Sequence, residues 1–165
     1  MDPRRDKLRA RLEAARQDLL LALADLDQTQ AGLSTTNPGW VVWDLVAHLA
    51  AAERGHQQVI EALMAGEVAP DPAFELDVFN EQEVAARRGR SLAELLDELD
   101  TARRATLALL DAVGTENWDL AGWHPGGFDT TVEGCFRVIA IHEKRHLKEI
   151  RAALAAGRSD RESPA

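Results

Sequence analysis

Ile139-Ala140-Ile141-His142-Glu143-Lys144-Arg145-His146-Leu147-Lys148-Glu149-Ile150 is the stretch on which the fold turns. Within it, His142 to His146 match the H-E-x-x-H signature of zinc peptidases, in which the glutamate is the general base. A helical reading says something else. Positions i and i+4 share a helix face, so His142 and His146 stand in line with Ile139 and Ile150, where an amphipathic helix carries apolar side chains. A peptidase also needs a third ligand and a sheet edge to present its substrate strand. Downstream only Glu149, Asp160 and Glu162 offer ionisable oxygens, the first too close on the same helix face and the others in a polar tail. A helical bundle with inward imidazoles is therefore the better reading. Glu143, one residue round from His142, then serves better as a solvated carboxylate or a partner of a ligand than as a base.

The rest of the chain repeats the helical period. Leu8, Leu12, Ala15, Leu19, Ala22, Leu23 and Leu26 mark a first helix over about 4–31, closed by the breaker Asn37-Pro38-Gly39. A second, over about 41–65, carries Leu45, His48, Leu49, Ala52, His56, Val59, Ile60 and Leu63 on one stripe and stops at Gly66. Pro70 and Pro72 break the chain, a shorter helix covers 74–88, and Ser91-Leu92-Ala93-Glu94 has the spacing of a capping box that opens a third long helix. The stretch 115–129 is too broken for a helix and too aromatic for a linker, which suits a cover over one end of a bundle. Thr130-Thr131-Val132-Glu133 repeats the capping-box spacing and opens the last helix. No strand alternation or internal repeat appears. The expected fold is all-α: a four-helix bundle over 1–157 with a short extra helix before the third long one, then a polar tail over 158–165.

Composition narrows the partners. A chain of 165 residues with 45% hydrophobic content can bury a core of its own. With 28 acidic against 19 basic residues the formal charge is −9, which repels a nucleic-acid backbone. Arg4-Arg5-Asp6-Lys7, Arg87-Arg88-Gly89-Arg90 and Lys144-Arg145 each sit among acids and read as solvated helix surface. One cysteine, Cys135, excludes an intrachain disulfide; about 10 Å along the helix from His142, it is too far to ligate the same ion and reads as a small core residue. Without a signal peptide or an apolar run of membrane length, the expected location is the cytoplasm, with no membrane partner.

His48, His142 and His146 all replace apolar residues in core register. Three buried imidazoles need partners, because an unpaired buried polar group costs about 1–3 kcal/mol. One divalent metal satisfies all three and leaves coordination positions open, as catalytic sites do; imidazole suits zinc, nickel, iron and copper alike, and the expected ion is zinc or nickel. His56 reads as a packing residue and His124 as a loop residue at the bundle mouth, while Asn80, Trp43 and the 118–128 stretch are candidates to line a pocket.

The run Trp40-Val41-Val42-Trp43-Asp44-Leu45-Val46-Ala47-His48-Leu49, followed by His142 to Ile150, resembles the DinB-like superfamily of four-helix bundle metalloproteins. Members take one metal ligand from the second helix and two, four residues apart, from the last, positions matched here by His48, His142 and His146. Asp77-Val78-Phe79-Asn80-Glu81 and Ser91-Leu92 resemble the related ClbS/DfsB-like proteins, which protect against a genotoxic metabolite and do not all rely on a metal. Other relatives are thiol transferases that use bacillithiol or mycothiol. The resemblance implies a thiol S-transferase or hydrolase acting on a small electrophilic or toxic molecule, with a low-molecular-weight thiol as a candidate cosubstrate. The alternative is a non-enzymatic bundle that sequesters a small molecule. A homodimer formed by pairing bundle faces is compatible with either.

Overall fold

At the start of each long helix a side chain accepts a backbone N–H of the first turn or of the residue just before it. Asp2 accepts from Arg4 N at 2.9 Å and Pro3 occupies the first helical position, opening α1 (Pro3–Leu23). Asp44 accepts from Val41 N at 2.9 Å at the start of α3 (Val42–Ala65). Ser91 and Glu94 form the expected reciprocal box before α5 (Leu92–Ala112). The last helix, α6 (Val132–Glu162), is capped one residue later than the sequence suggests: Thr131 Oγ1 accepts from Gly134 N at 3.1 Å, and Thr130 belongs to a strand. The computed structural model describes residues 2–67 and 74–162, so the Pro70 and Pro72 break and the end of the tail lie outside the described residues.

The first helix is shorter than its periodicity suggests. It stops at Leu23, and a separate turn, α2 (Gln28–Ala31), starts at Asp27, whose carboxylate accepts from Gln30 N at 2.7 Å while Gln30 Oε1 accepts from Asp27 N at 3.0 Å. The reciprocal cap nucleates a new turn, and Leu26 and Leu33 on either side of it pack on the core. The short helix before the third long one is α4 (Leu76–Ala85), which packs on α3. At the other end α6 runs on through Glu162, past the point where the sequence suggests a tail.

α1 packs on α6 and α5, and α3 also packs on α6 and α5. The long helices therefore follow one another round the bundle as α1, α6, α3 and α5, with the sequence neighbours α1 and α3 on a diagonal. The 115–129 cover contains a hairpin: β1 (Ala121–His124) pairs antiparallel with β2 (Phe128–Thr131), His124 opposite Phe128. Gly127 turns it with φ +88°, and Gly122 lets its backbone press on α3, since a Cβ there would lie 2.3 Å from Leu63. Among the described residues, no helix is long and apolar enough to cross a membrane.

The core is divided. One apolar cluster gathers Leu19, Leu23, Leu45, Leu49, Leu95, Leu99 and Ile150; a second gathers Leu8, Leu12, Val59, Ile60, Leu110, Phe136 and Ile139. Four buried charges lie on the same stripes, one from each long helix: Arg16, Glu53, Arg103 and Glu143. Arg16 bonds Glu53 at 2.6 Å and Glu143 at 2.5 Å, and Arg103 bonds them at 2.7 and 2.8 Å. Thr106 donates to Glu53 at 2.7 Å, and the two arginines also donate to the carbonyls of Leu99 and Leu12. Arg87 is likewise buried, held by Glu98 and Glu83, so the solvated reading of its cluster fails at that residue.

Candidate metal centre

α3 delivers His48 and α6 delivers His142 and His146 to one point. His142 Nε2 lies 3.1 Å from His48 Nε2 and 3.1 Å from His146 Nε2, and one ligand nitrogen from each residue lies within 4.8 Å of the others. The rings meet edge to face with centroids 4.5 to 5.0 Å apart. The Trp40 ring packs 5.2 Å from His48, and its Nε1 donates to Glu81 of α4 at 2.6 Å. Burial, followed by the proximity of the other imidazoles, pushes His48 down to about 3 and His142 lower still; burial also lowers His146, against the opposing pull of Glu149. All three rings are neutral at pH 7, with lone pairs available.

Those lone pairs cannot satisfy one another. Glu149 Oε2 lies 3.1 Å from His146 Nδ1, which places the His146 proton there and leaves Nε2 bare. A ring nitrogen presents either one proton or one lone pair, so His142 Nε2 cannot make both contacts hydrogen bonds: a proton there serves one neighbour, and a lone pair there meets the bare Nε2 of His146. His48 Nδ1 is buried with no partner among the described residues. A cation accepts three lone pairs at once, and ligands about 2.0–2.1 Å from a tetrahedral zinc lie about 3.3 Å apart, close to the two 3.1 Å spacings about His142. The donor set fits a divalent metal.

Glu143 does not face this cluster. Its carboxylate is 3% exposed and both oxygens are engaged by Arg16 and Arg103, so it is neither a solvated group nor a base. Glu149, six residues further on, instead places its carboxylate 3.1 Å from His146 Nδ1. His56 and His124 come together as well, with His56 Nδ1 3.0 Å from His124 Nε2 and the His56 ring 5.5 Å from that of His142. Burial lowers His124, and burial with the His124 charge takes His56 down to about 4. Both residues line, with the three clustered histidines, a cleft of about 990 Å³ that Asn80, Trp40, Phe79 and Phe128 also border. Trp118 is 1% exposed in the second apolar cluster and Trp43 packs against the first, so neither is a pocket residue. Cys135 is buried, as expected, and burial pushes its thiol up to about 11.

Three residues escape the sequence reading, Arg16, Glu53 and Arg103, while Glu149, set aside there as too close to be a ligand, is the partner of His146. For the three that escape a signal is present, because each stands four residues after a buried apolar residue: Leu12, Leu49 and Leu99.

The family model of the DinB superfamily matches residues 11–150. Among solved structures, the chain resembles YfiT from Bacillus subtilis, described as a probable metal-dependent hydrolase with an unusual four-helix bundle topology, at 18% identity and a TM-score of 0.78, over 96% of this chain and 90% of that one. The mycothiol-dependent maleylpyruvate isomerase is similar at 16% identity and a TM-score of 0.72, over 91% of this chain but 63% of its own. DfsB, described as a sibling lethal factor precursor, is similar at 16% identity and a TM-score of 0.71, over 99% and 100% of the two chains. No curated protein gives a match.

Proposed function

Because the chain belongs to the DinB superfamily, we propose that it is a metal-dependent enzyme, a thiol S-transferase or hydrolase, acting on a small electrophilic or toxic molecule held in the cleft beside His48, His142 and His146. The observation that carries this reading is that His142 Nε2 lies 3.1 Å from the Nε2 atoms of both His48 and His146, in three neutral rings that cannot satisfy one another. His48, His142 and His146 would hold a divalent cation, zinc or nickel, which when bound would supply the charge that lowers the pKa of a water or a low-molecular-weight thiol to give a nucleophile at neutral pH. The chain's own residues prepare the place. Glu149 fixes the His146 proton on Nδ1, burial disfavours the charged form of the rings, and Trp40, Phe79 and Phe128 give the cleft apolar walls. Asn80 offers an amide to orient a polar group. Protein purified without a histidine tag is expected to carry about one equivalent of metal, and the His48→Ala and His146→Ala variants under about a tenth. Less than a tenth in the unmodified protein overturns the reading.

A second reading, a binder that sequesters a small molecule without chemistry, is favoured by the size of the cleft, which would hold a drug-sized ligand. Ligand binding retained in the double variant of His48 and His146 supports it. Pairing of bundle faces into a homodimer fits either reading and is tested by light scattering.

A further inference from the structure

Beside the three clustered histidines, His124 and His56 form a hydrogen-bonded pair whose direction is set by the backbone. Gly126 N–H donates to His124 Nδ1 at 2.9 Å. A nitrogen that accepts carries no proton, so neutral His124 holds its proton on Nε2. That atom lies 3.0 Å from His56 Nδ1, which therefore accepts. Ring centroids 5.1 Å apart and planes 28° apart are those of two imidazoles joined nearly head to tail in one plane, not of a stack. The His56 proton is left on Nε2, a donor that is buried and has no partner among the described residues. Folded proteins rarely leave such a donor unused. His56 is 9% exposed and lines the cleft next to His142.

We propose that His56, oriented by His124, is the hydrogen-bond donor for the carbonyl oxygen of a flat, largely apolar ligand in the cleft. The cleft's chemistry selects that class. A cationic group has no lone pair to offer an N–H. A carboxylate would meet Glu81 and Glu149 on the same lining, while Arg145, the cation there, is already drawn to Glu149 at 3.5 Å. A neutral carbonyl meets neither objection. Trp40, Phe79 and Phe128 supply flat apolar surface, and Phe128, 39% exposed at the rim, lies parallel to the His124 ring with centroids 4.6 Å apart. A donor fixed in place before the ligand arrives polarises the carbonyl toward attack and needs no reorganisation. The inference rests on the cleft being the substrate site, as proposed above, and not on a metal being bound.

Acetophenone is the probe and ethylbenzene, of similar shape without the oxygen, its control. With the full chain, metal-free and zinc-loaded, acetophenone binding is expected to weaken about tenfold in His56→Phe, the worth of one neutral hydrogen bond. His56→Gln, which places an amide N–H near the same point, is expected to recover most of it, and ethylbenzene binding to stay level in all three proteins. Nitrogen-15 spectra of the imidazoles are expected to show the Nε2–H tautomer at both His56 and His124. Equal acetophenone binding by His56→Phe, a parallel loss for ethylbenzene, or an Nδ1–H tautomer at His56 overturns the proposal; the spectra, taken on the unmodified protein, decide even if a variant does not fold. The metal-free unmodified protein is expected to keep the preference for acetophenone, which separates failure of this donor from failure of the metal reading.

Discussion

Two polar layers cross this bundle, and each meets the cost of burial differently. In the layer of Arg16, Glu53, Arg103 and Glu143, two positive and two negative charges alternate so that each carboxylate is held by both guanidiniums, and Thr106 and two carbonyls take up further valences. In the layer of His48, His142 and His146, like groups face one another and His48 Nδ1 has no partner among the described residues. α6 feeds both layers from adjacent residues, Glu143 and His142. The first layer is closed by residues of the chain itself, so its role is to align four helices. The second has a surplus of lone pairs, the feature that gives a site something to bind.

The difference can be broken most forcefully at Arg103. Arg103→Met strands Glu53 and Glu143 with only Arg16 between them, and removing one partner from a buried ionic group costs about 3–5 kcal/mol. Urea unfolding of metal-free protein is expected to show a loss of that size. A loss below about 1 kcal/mol would mean that the charged layer is not what aligns the helices.

Zinc sharpens the contrast from the other side. Free zinc at about 100 times its dissociation constant is expected to stabilise the protein by about 2.7 kcal/mol, read as a shift of the urea midpoint. His142→Ala should abolish the shift. A shift of equal size in that variant would place the metal elsewhere.

How much of this was legible in the chain follows from what periodicity encodes. The four long helices and the imidazole cluster could be read because a histidine in an apolar stripe is visible as an exception. Arg16, Glu53, Arg103 and Glu143 follow the same rule, each four residues after a buried apolar side chain, but charged residues are so common on helix surfaces that the exception hides among them. The diagonal placing of α1 and α3 was not legible, because an amphipathic stripe says which face is buried and not against which helix. The hairpin escaped for a similar reason: strands of four residues, Ala121–His124 and Phe128–Thr131, with only His124 fully buried, show no period of two, and Pro125-Gly126-Gly127 marks the turn without its strands. With the hairpin went the meeting of His124 and His56.

Acid should act on the charged layer through Glu53. Burial alone would raise its carboxyl, but the hydrogen bond and charge of Arg103, the charge of Arg16 and the Thr106 hydroxyl outweigh burial and hold it below its ordinary 4.5. The unfolded chain therefore takes up this proton more readily than the folded one, so the stabilisation is complete above pH 4.5 and is lost as the pH falls further. Urea midpoints of metal-free protein between about pH 6 and 3 should fall more steeply below 4.5 for the unmodified chain than for Glu53→Gln. Equal slopes would show that the Glu53 pair contributes nothing through its charge.

The smallest effect is expected where the layers lie closest, at His142. If the imidazole layer exists to bind rather than to hold the bundle, replacing its central ring with one of similar shape should cost the metal-free protein little. His142→Phe removes two hydrogen-bond contacts to His48 and His146, whose net worth is modest because neutral imidazoles cannot satisfy both at once, and it supplies apolar surface beside Ile139 and Ala140. The change in metal-free unfolding free energy should lie within about 1 kcal/mol, while zinc stabilisation disappears. A loss approaching that of Arg103→Met would show that the three histidines hold the helices together without a metal, and would make both layers structural.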